Sequence, residues 1–260
     1  LVAADMVKRG KKGGLYDSFR NRVMFPIIDI RGNVIAFGGR VLDDSKPKYL
    51  NTNDTVVYKK SRSLFAFGFA KAAGKRKLIL TEGYMDTIAV HAAGFENAVA
   101  TCGTALTAEQ ARMMAGIADE IIIAYDSDGP GQPAPRRAMN ILSQAGLTSR
   151  VLKMEGAKDP DEYIKKFGAA RFGVLLEQSE NVMDYQLEEL LRQYDITTSN
   201  GKIEYLRRSA ALLAEVERQD EREIYLNRIA KQLDLGVDTV RSSVEAARNN
   251  RSRRQQQQPH

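Results

Sequence analysis

The chain has 260 residues, 43% of them hydrophobic, with a formal net charge of +6 and one cysteine. That length buries a sizeable core as one large or two modest domains, and Cys102 with His91 and His260 can form neither an internal disulfide nor a zinc site. No apolar stretch approaches the roughly 20 residues that span a bilayer, so the expectation is a non-membrane protein in a reducing cytoplasm.

In chain order, the elements divide by charge. The start "LVAADMVKRG" has neither an initiator Met nor an apolar signal core, which reads as a piece of a longer protein. Residues 1–76 carry 16 Lys/Arg against 6 Asp/Glu, whereas residues 77–247 carry 19 against 27. The basic front points to a polyanion, because each phosphate neutralised releases condensed counterions; a solvated basic face is the bland alternative. Within it, "VMFPIID" and "NVIAFGGRV" are strand-like runs on either side of the turn "IRGN", so a small mixed subdomain is expected over 1–76.

From Lys77 the rhythm changes: "KLILTE", helical "MDTIAVHAAG", "NAVATCGT", helical "LTAEQARMMAGIA", "EIIIAYDSD", helical "APRRAMNILSQAG", then "SRVLKM". This βαβαβαβ order, assigned to residues 77–180, calls for a parallel sheet covered on both faces, with ligands beyond the carboxyl ends of its strands. Thr107 with Gln110 fits a capping box, and Gly94 and Gly146 stand where helices should stop. Residues 181–248 read as charged amphipathic helices forming a separate bundle. There, "RIAKQLDLGVDTVRSSV" has the apolar spacing of a helix-turn-helix, which two packed helices with a Gly turn also produce. Residues 249–260 lack core-forming side chains and read as a disordered linker. The expected fold class is α/β, α+β overall.

The acids follow the strand ends: Glu82 after "LILT", Asp126 and Asp128 after "IIIAY", and Asp159 and Asp161 after "VLKMEGAK". The side-chain period of two sends Asp126 and Asp128 to one side. Convergence of such groups would raise some of their pKa values, and a divalent cation would reverse that. Oxygen ligands without His or Cys suit Mg²⁺ or Mn²⁺. Singly, each has a weaker explanation. "DPDEYIKKFG" is accounted for by Asp159 as N-cap, Pro160 at the first helical position, Glu162 closing a capping box and Gly168 ending the helix. Three successive strand ends bearing acids are harder to attribute to unrelated accidents, so the metal site leads. In the front, Arg20 and Arg22 could project together, and Lys46, Lys48 and Lys60 flank Tyr49 and Tyr58, a mixture that suits a sugar-phosphate track with base stacking. Cys102 reads as a small buried residue rather than a nucleophile.

"LTEGYMD", "ATCGTALT", "AYDSDGPG" and "DPDEYI" resemble the successive motifs of a Toprim domain, specifically that of the bacterial replicative primases of the DnaG type. "DSFRNRVMFPI", "GNVIAFGGRVL" and "KPKYLNT" resemble the amino-terminal subdomain of the same primase core. The resemblance covers about residues 1–250. It implies a basic mixed subdomain, a central Toprim sheet and a helical bundle, and a DNA-dependent RNA polymerase, expected to be a monomeric core, that makes short primers on single-stranded DNA from NTPs. By resemblance, Glu82, Asp126 and Asp128 are the main ligands of two or more Mg²⁺ or Mn²⁺ ions, with Asp86, Asp159 and Asp161 around them. Glu82 is left as ligand or base. Arg20, Arg22, Lys48 and Lys60 belong to the surface that holds template or triphosphate. The setting is the bacterial cytoplasm, at the replication fork in the nucleoid. A zinc-binding module is expected before the core, and a domain that binds the replicative helicase is expected beyond the end of the chain.

One departure is visible. Pro130 stands where the family usually has Ala, and Pro135 disfavours helix at Ala134, so the helix after the D-x-D turn is expected to begin late. Two other functions remain open: metal-dependent DNA cleavage, which other Toprim proteins perform, and a nucleic-acid-binding adaptor without chemistry.

Overall fold

Two small antiparallel sheets occupy the front of the chain. The computed structural model, which describes residues 1–126 and 133–256, pairs β1 (Val7–Arg9) with β2 (Leu15–Asp17), and β3 (Val23–Ile28), β4 (Val34–Arg40) and β5 (Tyr49–Asn51) in the order β3-β4-β5. In β3, Phe25 and Ile27 are buried while Pro26 between them is exposed, the period of a strand covered on one face. The anticipated turn closes on Asp29, whose carboxylate accepts the backbone N–H groups of Arg31 and Asn33.

A larger sheet follows, built from β6 (Leu64–Phe65), β7 (Lys77–Thr81), β8 (Ala98–Thr101), β9 (Glu120–Ala124), β10 (Thr148–Val151) and β11 (Glu180–Asn181). Its order is β11-β10-β9-β7-β8-β6. The four inner strands are parallel, as the alternation of strands and helices requires, and the short edges β6 and β11 are antiparallel. Leu78, Ile79, Leu80 and Ile121 to Ile123 are buried without alternation, because helices cover both faces. Those helices are α1 (Phe67–Ala72), α2 (Tyr84–Ala92), α3 (Ala108–Ala115), α4 (Pro133–Gln144) and α5 (Pro160–Glu177).

Local signals explain most boundaries. Thr107 and Gln110 form the full capping box of α3, and Gly94 and Gly146 adopt positive φ just past α2 and α4. Asp159 caps α5 by accepting the Glu162 N–H at 2.7 Å. Glu162 departs from the expected box, since its carboxylate takes the N–H of Lys158. Gly168 breaks α5 with φ 83°, ψ 163°. α4 does not begin late: it starts at Pro133, which puts Pro133 and Pro135 in the first turn, where a missing N–H leaves no hydrogen bond unmade. Pro130 and Asp128 lie outside the described residues.

Leu1–Val182 and Met183–His260 separate as two units. In the second, α6 (Val182–Gln193), α7 (Ser199–Leu213), α8 (Gln219–Leu233) and α9 (Val237–Gln256) pack around Tyr205, Leu213, Leu226, Ile229 and Val240. α9 continues to Gln256, through residues 249–256 of the stretch expected to be unstructured, where Arg and Gln are favourable helix formers. None of the described helices is long and apolar enough to cross a membrane.

Candidate metal centre and its basic wall

Register brings the first two acids together. Thr81 of β7 pairs with Ala124 of β9, so the two chains leave the sheet side by side, and the Asp126 N–H donates to Glu82 Oε1 at 3.3 Å. Asp86 sits in the first turn of α2. That turn is tied to β7 by the Thr87 hydroxyl, which donates to the Gly83 carbonyl at 3.0 Å and lies 2.7 Å from the Thr81 hydroxyl. Asp159 arrives as the cap of α5. One carboxylate oxygen from each of Asp86, Asp126 and Asp159 falls within 4.8 Å of the others.

The electrostatics fit a bound divalent cation. Burial, then the charges of Asp126, Asp159 and Asp161, push the Asp86 carboxyl up to about 7, and the Asp161 backbone N–H offsets this only in part. Carboxylate oxygens are the donors a hard ion prefers. The trio differs in membership from the expected leading set. Glu82 meets the Asp126 backbone, Asp161 pairs with Lys165 at 2.6 Å while still facing the cleft, and Asp128 is outside the described residues.

The acids line a cleft of about 670 Å³ whose other wall comes from β4, β5 and the loop between them and includes Arg40, Lys48, Tyr49 and Asn51. The Arg40 guanidinium lies over the Tyr49 ring, 5.7 Å from its centroid. Of the basic and aromatic residues singled out in the sequence, Lys48 and Tyr49 line this cleft. Other basic candidates do not. Arg22 donates to the carbonyls of Pro47 at 2.8 Å and of Lys48 and Gly39 at 3.3 Å, so it fastens the loop that carries Lys48. Arg20 lies over the Tyr16 ring, 5.4 Å from its centroid, and does not line the cleft. Lys46 and Lys60 do not line the cleft, and Tyr58 is fully buried beside Cys102.

Sequence reasoning missed Arg40 and Asn51. Their signal is strand register: Arg40 pairs with Tyr49, and Gly38 with Asn51. The alternation of "FGGRV" alone does not reveal which strand stands opposite.

Comparison with known proteins decides the family. The solved catalytic core of the E. coli primase aligns with a TM-score of 0.75 at 32% identity, over 90% of this chain and 77% of that one. The chain belongs to the DnaG primase family. The RNA polymerase domain of Mycobacterium tuberculosis primase DnaG, solved with a double-stranded DNA oligomer bearing a 6-nucleotide overhang, gives a TM-score of 0.75 at 27% identity over 90% and 77% of the two chains. A DNA primase of Clostridium acetobutylicum is 36% identical over 96% of this chain and 42% of its own length. The chain thus spans about two fifths of the curated primases it matches.

Three primase-related family models match in order: the N-terminal domain of the DNA primase catalytic core over residues 1–71, a Toprim-like domain over 79–164, and the DnaB-helicase binding domain of primase over 183–238. The last match corrects the expectation that the helicase-binding domain lies wholly beyond this chain. Amphipathic periodicity identified the bundle, but it reports which faces pack inward and not what the outer faces bind.

Proposed function

We propose that this chain is the RNA-polymerising core of a primase, joining ribonucleotides into short primers on a single-stranded DNA template by two-metal nucleotidyl transfer. The carrying observation is the acid trio Asp86, Asp126 and Asp159 facing Arg40 and Lys48 across one cleft. The DNA held by the M. tuberculosis relative supports the same reading.

Asp86, Asp126 and Asp159 would hold Mg²⁺ or Mn²⁺, with Asp128 and Asp161 completing the oxygen set. Bound divalent ions would supply Lewis acidity, lowering the pKa of a primer 3′-hydroxyl and offsetting charge on the triphosphate. Glu82 steadies Asp126 through its backbone N–H. Arg40 and Lys48 neutralise phosphate oxygens, and Tyr49 offers a face for stacking. Little is asked of a protein base in phosphoryl transfer of this kind, where positioning and electrostatics do most of the catalysis. The reading puts the protein in the bacterial cytoplasm at replication forks, with the replicative helicase as partner of residues 183–238.

The test combines labelled single-stranded DNA, labelled NTPs and Mg²⁺ or Mn²⁺, comparing wild type with Asp126→Ala. RNA made by the first and lost in the second supports the reading. Cut DNA without RNA would move the assignment to a Toprim nuclease, and neither product together with no saturable Mn²⁺ uptake would leave an adaptor.

A further inference from the structure

Tyr84, the first residue of α2, is 4% exposed and joins the small front sheet to the large one. Its ring stacks on Phe25 of β3 with centroids 5.6 Å apart and meets Phe65 of β6 edge-on at 4.8 Å. Its hydroxyl donates to Asn51 Oδ1 at 2.8 Å. On the other side, Asn51 Nδ2 donates to the carbonyl of Cys102 at 3.4 Å.

These two contacts fix the amide. Turned over, Asn51 would set its oxygen against the Cys102 carbonyl oxygen, two acceptors facing each other. The backbone is shaped for the arrangement. A Cβ on Gly38 would come within 2.4 Å of the Tyr84 ring, and one on Gly103, whose φ is +75°, within 2.1 Å of Asn51 Nδ2. With its oxygen and one N–H engaged, the other N–H of Asn51 has no partner among the described residues, and Asn51 lines the cleft beside Arg40, Lys48 and the carboxylates.

We propose that Tyr84 is a positioning residue for the incoming ribonucleotide. It acts through Asn51, holding the amide so that its remaining N–H donates to an acceptor oxygen of a ribonucleoside triphosphate. Because Tyr84 also opens the helix that carries Asp86, the grip on the nucleotide and the metal floor share one anchor. The inference rests on the polymerase reading above and adds a residue and an orientation to it.

The test uses the 260-residue chain with Mn²⁺, a fluorescent ATP analogue for binding, and primer extension for KM and kcat. Tyr84→Phe keeps the ring and removes the hydroxyl. It is expected to weaken nucleotide binding and raise KM about fivefold, the worth of one ordinary hydrogen bond, with kcat and melting temperature little changed. Asn51→Ala should weaken binding at least as much, and adding Tyr84→Phe to it should cost nothing further, since the two act as one unit. Wild-type binding left unchanged by Tyr84→Phe would overturn the proposal, as would an equal loss in both backgrounds, which marks a packing role. A wild-type chain that binds no nucleotide would overturn it together with the polymerase reading, so the two failures are told apart.

Discussion

The floor and the wall of the cleft are built by opposite means. The floor gathers like charges at the carboxyl end of a buried parallel sheet, where Asp86, Asp126 and Asp159 stand within 4.8 Å. Left to themselves they would separate, and only the rigidity of β7, β9 and the capped start of α5 keeps them together. The wall is an antiparallel sheet edge that carries cations, half-buried Arg40 over Tyr49 and exposed Lys48 on a loop fastened by Arg22. On the proposed reading, the charge cluster that opposes folding and is nonetheless held by the core carries the chemistry, and the cationic wall sets affinity.

The contrast breaks most sharply at Asp126. Asp126→Ala removes one member of the trio while leaving the backbone N–H that Glu82 accepts, and is expected to reduce NTP incorporation on the order of 10³-fold. Single-stranded DNA affinity, which the proposed reading assigns to the wall, should change little. Primer synthesis assayed beside a DNA-binding titration checks both halves. Equal losses in the two would show that floor and wall are not separate devices.

Asp86 gives the floor a pH signature. Its folded pKa, about 7, lies above the unfolded value of 3.8, so between those limits the folded state holds a proton that the unfolded chain has released. Stability therefore falls as pH rises through that window, by about 4 kcal/mol as an upper estimate for this group. Metal-free protein should melt several degrees lower at pH 8 than at pH 5 from this source, and Mg²⁺ should raise the melting temperature more at pH 8. Asp86→Asn should flatten the dependence, and calorimetry across pH with and without metal measures it.

The same division governs what could be read from sequence. Apolar runs such as "KLILT" and "EIIIA" expose both a parallel sheet and its functional edge, because a strand covered on two faces cannot spare a charge until it ends. Caps at Thr107 and Asp159 were equally legible, being local. The wall depends on pairing between β4 and β5, and pairing is not local: Arg40 and Asn51 acquire their places from register. Arg22 resembled a phosphate ligand because sequence shows a charge without its partners, here three backbone carbonyls. The aromatic contacts of Tyr84 with Phe25 and Phe65 join residues from distant segments and left no periodic trace.

On the wall, Arg40→Ala is expected to weaken template or nucleotide binding about tenfold and, if the lost contact is to phosphate, to lower the salt dependence of DNA binding by about one unit of slope. Catalysis at saturating substrate should survive. Binding titrations at several salt concentrations measure the slope, and an unchanged slope would assign Arg40 to Tyr49 packing alone.

Arg22→Ala gives the smallest effect and the sharpest division within the wall. The side chain donates to Pro47, Lys48 and Gly39 carbonyls and not into the cleft, so its removal frees the loop before β5 without subtracting a phosphate contact. The expected outcome is a stability loss of about 1 kcal/mol, typical of hydrogen bonds that water can partly replace, and a two- to threefold loss of affinity with the salt slope unchanged. Arg22→Lys should not restore stability, because a single ammonium cannot reproduce the guanidinium fork across three carbonyls. A lower salt slope for Arg22→Ala would instead return this residue to the phosphate-binding surface, and the wall would then begin one strand earlier than the structure places it.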